Sequence, residues 1–145
     1  MQRRKARRVA LQVLFARDFH QDKLDDLVEQ LFEQNNISME HKSFVRCLVE
    51  GVASRWRDLD IHISSLSRDW KIDRISLVDK NILRLAMFEL LYMEETPVAV
   101  CVNEAVELAR KFGTDKSPKF VNGILGSFVK KRVKRSCSGE KPNGS

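Results

Sequence analysis

The sequence predicts an all-α protein of about seven helices. Apolar residues recur at i, i+3, i+4 and i+7 along almost the whole chain, and strand-type alternation is nearly absent. Helix-start signals precede several of these runs: Ser38, Ser76 with Asp79 three residues later, Thr96-Pro97 and Ser117-Pro118.

The elements follow in order. Ala6, Val9, Ala10, Val13 and Leu14 form one stripe of a first helix, with Phe15 off that stripe beside Phe19. Leu24, Leu27, Val28 and Leu31 repeat the spacing behind Asp22 as N-cap candidate. After the polar break Asn35-Asn36, Ser38 opens a run carrying Val45, Leu48, Val49, Val52 and Trp56, continuing through Leu59, Ile63 and Leu66. One long helix or two shorter ones satisfy that run. Two are favoured, parted near Arg55 to Asp58, because helices beyond about 25 residues are uncommon in compact domains. From Ile82 to Met93 only Arg84 and Glu89 are strongly polar, which predicts a central helix enclosed by the others. Twelve such residues rise only about 18 Å, too short to span a bilayer. Thr96 as N-cap and Pro97 as first helical residue start the next helix, with Val98, Val102, Ala105, Val106, Ala109 and Phe112 inward and Gly113 as stop. A last helix turns Val121, Ile124, Leu125 and Phe128 inward. Gly123 and Gly126 within it suggest close approach of another backbone, since each costs about 1 kcal/mol against Ala. Residues 1–133 thus read as one helical domain, and residues 134–145 as a disordered basic and polar tail.

Charge is concentrated at the two ends. Arg3, Arg4, Lys5, Arg7 and Arg8 stand at the start, and Lys130, Lys131, Arg132, Lys134 and Arg135 near the finish, while the intervening body is slightly acidic. Clustered cations on an acidic body suit a polyanion, nucleic acid first, although solvated termini have the same composition. On a helical projection Arg4, Lys5 and Arg8 lie opposite the apolar stripe and Arg3 and Arg7 on its flank, so all are expected to face solvent. Cations in a first turn oppose the helix dipole, and phosphate would relieve that repulsion while accepting the forked hydrogen bonds of arginine. Lys116 and Lys119 bracket the start of the last helix, a second anion site in prospect. Phe120, at the border of that helix's stripe, suits either the core or stacking on an unpaired base. An exposed Phe15 would suit a protein partner.

Catalysis finds little support. No glycine-rich nucleotide loop or nucleophile elbow occurs, and Glu104 with Glu107 reads as solvated surface. His20, His41 and His62 share no ligand spacing with each other or with Cys47, Cys101 and Cys137, so neither metal nor cofactor is expected. Three unpaired-looking cysteines suit a reducing compartment, the cytoplasm. The opening MQRRKARRVALQVLFA imitates a targeting signal, but Gln12 interrupts its apolar run and no cleavage site follows.

RRKARRVALQVLF, DRISLVDKNILRLAMFELL, TPVAVCVNEAVELARKFG and SPKFVNGILGSF together resemble the NusB family of bacterial transcription antitermination factors, over about residues 3–128. The resemblance implies two packed helical subdomains and binding without catalysis. It implies pairing with the small-subunit ribosomal protein NusE, binding of single-stranded boxA RNA, and loading onto RNA polymerase with other Nus factors during ribosomal RNA transcription. Carried over by position, Arg3, Arg4, Lys5, Arg7, Arg8, Lys116, Lys119 and Phe120 would contact RNA, and Phe15 and Asp79 the NusE surface. Lys116 stands where some relatives carry an acid, and the basic tail is not a family hallmark. The same helical domain also opens certain ribosomal RNA cytosine methyltransferases, where a Rossmann-like domain follows. Whether the free protein is monomer or homodimer stays open.

Overall fold

The computed structural model describes the backbone of residues 2–19, 23–67 and 74–137 and the side chains of 3–18, 23–67 and 74–132. Six α-helices make up the described chain: α1 (Gln2–Phe19), α2 (Leu24–Asn35), α3 (Met39–Leu66), α4 (Leu77–Tyr92), α5 (Val98–Phe112) and α6 (Ser117–Cys137). The seventh helix of the expectation is the second half of α3. Its 28 residues are broken at Arg55, whose φ of −124° and ψ of 17° leave the helical region. Trp56, expected inward, is 38% exposed, whereas Leu59 and Ile63 beyond it return to the core.

The kink also divides the work of α3 between two packed groups. Its first segment meets α1 and α2, where Arg3 lies over the Phe44 ring at 4.3 Å and Arg46 pairs with Glu29. Both segments meet α4, the first through Gly51 on Phe88 and the second through Asp60 with Arg84, and the second also meets α6 through the edge contact of His62 on Phe128.

Helix α4 is the post of the fold. Every residue from Asn81 to Leu90 is buried, and α1, α3, α5 and α6 all pack against it. Its three buried polar side chains fix the register of its neighbours, because each must find a partner once removed from water. Glu89 accepts two bonds from Arg7 of α1, at 2.8 and 2.7 Å. Arg84 donates to both oxygens of Asp60 at 2.7 and 2.8 Å, and to Asn81 Oδ1 at 3.0 Å. Asn81 in turn donates to Asp18 of α1 at 2.8 Å. Arg7 meeting Glu89 while Asp18 meets Asn81 makes α1 antiparallel to α4.

A close approach occurs at Gly51 rather than in α6, and it is made by a side chain, the Phe88 ring, not by another backbone. A Cβ on Gly51 would lie 2.1 Å from Phe88 Cζ, so the α3–α4 contact admits no side chain there. Gly123 and Gly126 face open space, with nothing within 4 Å of such an atom.

The caps correct several details. Ser76 Oγ accepts from Asp79 N–H at 3.1 Å, the expected start of α4. Thr96 makes no cap: the N-cap is Pro97, and Thr96 Oγ1 is buried without a partner. Helix α5 starts one residue later, and Val98 is 45% exposed; Ala105 and Ala109 are buried as expected, joined by Cys101 and Leu108. Before α6, Thr114 and Ser117 form a reciprocal box, Ser117 Oγ accepting from Thr114 N–H at 3.0 Å and Thr114 Oγ1 from Lys116 N–H at 3.2 Å. The expected tail begins inside α6, which continues to Cys137; residues 138–145 lie outside the described residues, as does Asp22.

Candidate nucleic-acid interface

The cations of α1 separate into structural and available ones. Arg7, expected to face solvent, is 6% exposed and committed to Glu89, itself 2% exposed. Its Cα sits on the flank of α1, and a long side chain there can fold inward once the apolar α4 offers a carboxylate. Burial alone would lower the guanidinium's pKa, but the bonds and charge of Glu89 outweigh it and the net shift is upward. Arg7 thus holds α1 to α4.

Arg4 is exposed but forks onto Glu104 of α5, with Nη2 at 2.8 Å and Nε at 3.1 Å from the carboxylate. That bond, and then the charge behind it, holds the Glu104 carboxyl below the usual range despite partial burial. Glu104 is therefore a partner of the basic helix rather than solvated surface. Arg3 stays exposed with its guanidinium spread over Phe44, a face that leaves its charge accessible. Lys5 is exposed and Arg8 partly so, and neither makes an ion pair among the described residues. Arg3, Lys5 and Arg8 are the cations this end can give to a ligand.

One residue of the carboxyl-terminal basic run, Arg132, comes near this end. The thiol of buried Cys101, pushed up to about 12 by burial and then by Glu89, feels the charges of both Arg7 and Arg132. Lys130 and Lys131 are exposed on the same stretch of α6.

The other expected residues gather at the amino end of α4. Asp79, Lys116, Lys119 and Phe120 line one groove of about 590 Å³, together with Arg74 and Ser76. Lys116 and Lys119 are exposed at its rim, and Phe120 is half-buried, packed against the core on one side and open on the other. The Thr114–Ser117 box already occupies Lys116 N–H, so anion binding here falls to the lysine side chains more than to backbone donors. Asp79 Oδ1 is buried with no hydrogen-bond partner, an arrangement that costs about 1–3 kcal/mol. Phe15 is half-buried on α1, one turn before the Asp18–Asn81 bond that joins α1 to this end of α4. Asp79 and Glu89 are ten residues apart on α4, so groove and arginine cluster are separated by roughly 15 Å along its axis.

Sequence reasoning missed Phe44, Glu89 and Glu104 as partners of the basic helix. Glu89 carried a usable signal, since a carboxylate inside an apolar helix needs a cation, and α1 is rich in them. Phe44 and Glu104 carried none, because only tertiary packing brings them to α1.

An all-helical fold with cations at one end and an aromatic, lysine-rimmed groove at the other defines a nucleic-acid-binding adaptor; no group of residues able to hold a metal occurs among the described ones. No described helix is long and apolar enough to cross a membrane. The chain belongs to the NusB family, whose model matches residues 4–130. It is 37% identical over 132 residues to the transcription antitermination protein NusB of Clostridium novyi, covering 90% of this chain and 99% of that one. Its counterpart in Oceanobacillus iheyensis is 42% identical over 129 residues, covering 89% and 99%. Among solved structures, Thermotoga maritima NusB superimposes with a TM-score of 0.83 at 34% identity, covering 89% and 91%. A complex of the antitermination factors NusB and NusE with double-stranded RNA contains a chain of TM-score 0.81 at 27% identity, covering 90% and 97%.

Proposed function

We propose that this protein is a cytoplasmic transcription antitermination factor that binds boxA-type RNA together with NusE. With other Nus factors it helps load the antitermination complex onto RNA polymerase during ribosomal RNA transcription. The observation that carries this function is the cationic face left on α1 after internal pairing, formed by Arg3, Lys5 and Arg8. Arg132, from the far end of the sequence, adds its charge near Arg7. Arg4 is the reserve contact, released if Glu104 lets go. The RNA runs from this face toward Lys116, Lys119 and Phe120, and NusE takes the edge around Phe15 and Asp79. An accessory domain of a methyltransferase is disfavoured by relatives that match over 99% of their own length.

Electrophoretic mobility shift with boxA RNA, with and without NusE, tests the function; a shift enhanced by NusE is expected, and no shift under either condition contradicts it. The salt dependence measures the footprint. Arg3, Lys5, Arg8, Lys116 and Lys119 neutralise about five phosphates, which on a single strand gives a slope of log affinity against log salt near −3.5. Lys116→Ala with Lys119→Ala should reduce it to about −2. An unchanged slope in that variant would place the RNA on α1 alone.

A further inference from the structure

Arg4, Arg7, Arg46, Arg84 and Arg110 all close on carboxylates. Arg55 and Arg57, on either side of Trp56 at the break in α3, close on none among the described residues, although Asp58 adjoins them in the chain. They lie on aromatic rings instead. The Arg55 guanidinium sits 4.4 Å from the centre of the Tyr92 ring and 5.9 Å from that of Phe88, and the Arg57 guanidinium 5.1 Å from that of Trp56. Arg55 spends one further donor on Ser54 Oγ, at 3.3 Å. A guanidinium held over a ring keeps its charge and most of its N–H groups for an outside acceptor. Tyr92 is 49% exposed and Trp56 38%. Single exposed aromatics are ordinary surface, but two together, each under an arginine without a carboxylate, form a platform. Met93, next to Tyr92, lines a hollow of about 270 Å³ with Arg3, Phe44 and His41. The platform therefore borders the Arg3 side of the cationic face, at the carboxyl end of α4, whereas Lys116, Lys119 and Phe120 stand at the amino end.

We propose that Tyr92 and Trp56, with Arg55 and Arg57, are a separate stacking platform for unpaired nucleotides that flank boxA in the transcript, on the one side where the strand leaves past Arg3. This extends the RNA-binding function proposed above and rests on it. Bases stack on the aromatic and guanidinium faces, and the edges of the two guanidinium groups take the phosphates between them. Every base has a flat face and every linkage a phosphate, so the platform holds any sequence. What it adds is affinity and direction. A strand laid from α1 toward Lys116 and Phe120 has one end at the amino end of α4 and the other beside Arg3, and only the second can continue onto Tyr92 and Trp56.

Fluorescence anisotropy of the full chain with NusE compares boxA RNA with the same RNA carrying a short single-stranded flank of mixed sequence at its 5′ or its 3′ end. One of the two lengthened strands should bind about fivefold or more tighter than boxA alone, the share of one stacked base. Its slope of log affinity against log salt should steepen by about 1.4, the share of two phosphates. Trp56→Ala with Tyr92→Ala should remove the gain in affinity and leave binding of the unlengthened RNA as it was. In 1H–15N NMR spectra of the unaltered protein, the Trp56 indole N–H, assigned with Trp56→Phe, should move with that strand and not with boxA alone. Equal affinity for all three RNAs overturns the proposal, and needs no variant to fold. Equal gains from both flanks overturn it in favour of undirected charge attraction. An indole signal that moves with NusE and not with the lengthened RNA overturns it in favour of a protein contact. Failure of the RNA-binding function itself would show separately, as no binding of boxA RNA of any length.

Discussion

Arg7→Ala is expected to lower the free energy of unfolding by about 3–5 kcal/mol, because it strands the Glu89 carboxylate inside the most deeply buried helix. The neighbouring Arg4→Ala should leave the urea midpoint nearly unchanged, since its pair with Glu104 stands in water on the arginine side. The contrast matters for function. Both residues belong to one arginine-rich stretch, and a lost RNA interaction in an Arg7 variant would otherwise be assigned to a lost contact. Replacing both members of the pair, Arg7→Met with Glu89→Leu, removes the uncompensated charge and should recover most of the stability. Urea denaturation followed by circular dichroism separates the cases. An Arg7→Ala protein as stable as the parent would mean that the guanidinium is a ligand contact and not a fastener.

The second large effect is expected at Gly51. Gly51→Val should destabilise the fold by about 1–3 kcal/mol or more, since even the first carbon of the side chain would overlap the Phe88 ring. That ring cannot swing aside: it is buried, in tilted contact with Tyr92, under the guanidinium of Arg55 at the α3 kink. Phe88→Leu in the same chain should return part of the loss. Alanine at Gly123 or Gly126 should act in the opposite sense, adding up to about 1 kcal/mol each through helix propensity, as both positions face open space. Thermal unfolding of the three single variants checks the signs. Destabilisation at Gly123 and tolerance at Gly51 would mean that the close approach lies along α6 after all.

The helical class and the central post were legible because they rest on periodicity, which the backbone imposes locally. The stripe of α1 and that of α6 are buried as their spacing demands. The errors fall where tertiary contacts override that local signal. Trp56 and Val98 leave their stripes where the helix is interrupted, Trp56 directly after the break at Arg55 and Val98 at the first residue of α5. Arg7 was misplaced for a related reason. A helical projection locates its Cα but not the far end of its side chain, which takes its direction from Glu89 on a helix eighty-two residues away. The convergence of Asp79, Lys116, Lys119 and Phe120 in one groove was likewise beyond spacing. Each residue carried its own signal, and only the packing of α6 beside α4 brings them together.

We propose that RNA recognition by this protein depends on the division of the basic helix into fasteners and free cations. Arg7 and Arg4 are held by carboxylates, while Lys5 and Arg8 have none among the described residues. The most direct measurement is boxA RNA affinity, by mobility shift in the presence of NusE, of a Lys5→Glu, Arg8→Glu double variant whose unfolding midpoint is determined alongside. An unchanged midpoint with affinity reduced about 100-fold or more, as expected for two lost charge-assisted contacts, is the predicted result. Undiminished affinity in a folded variant would contradict it.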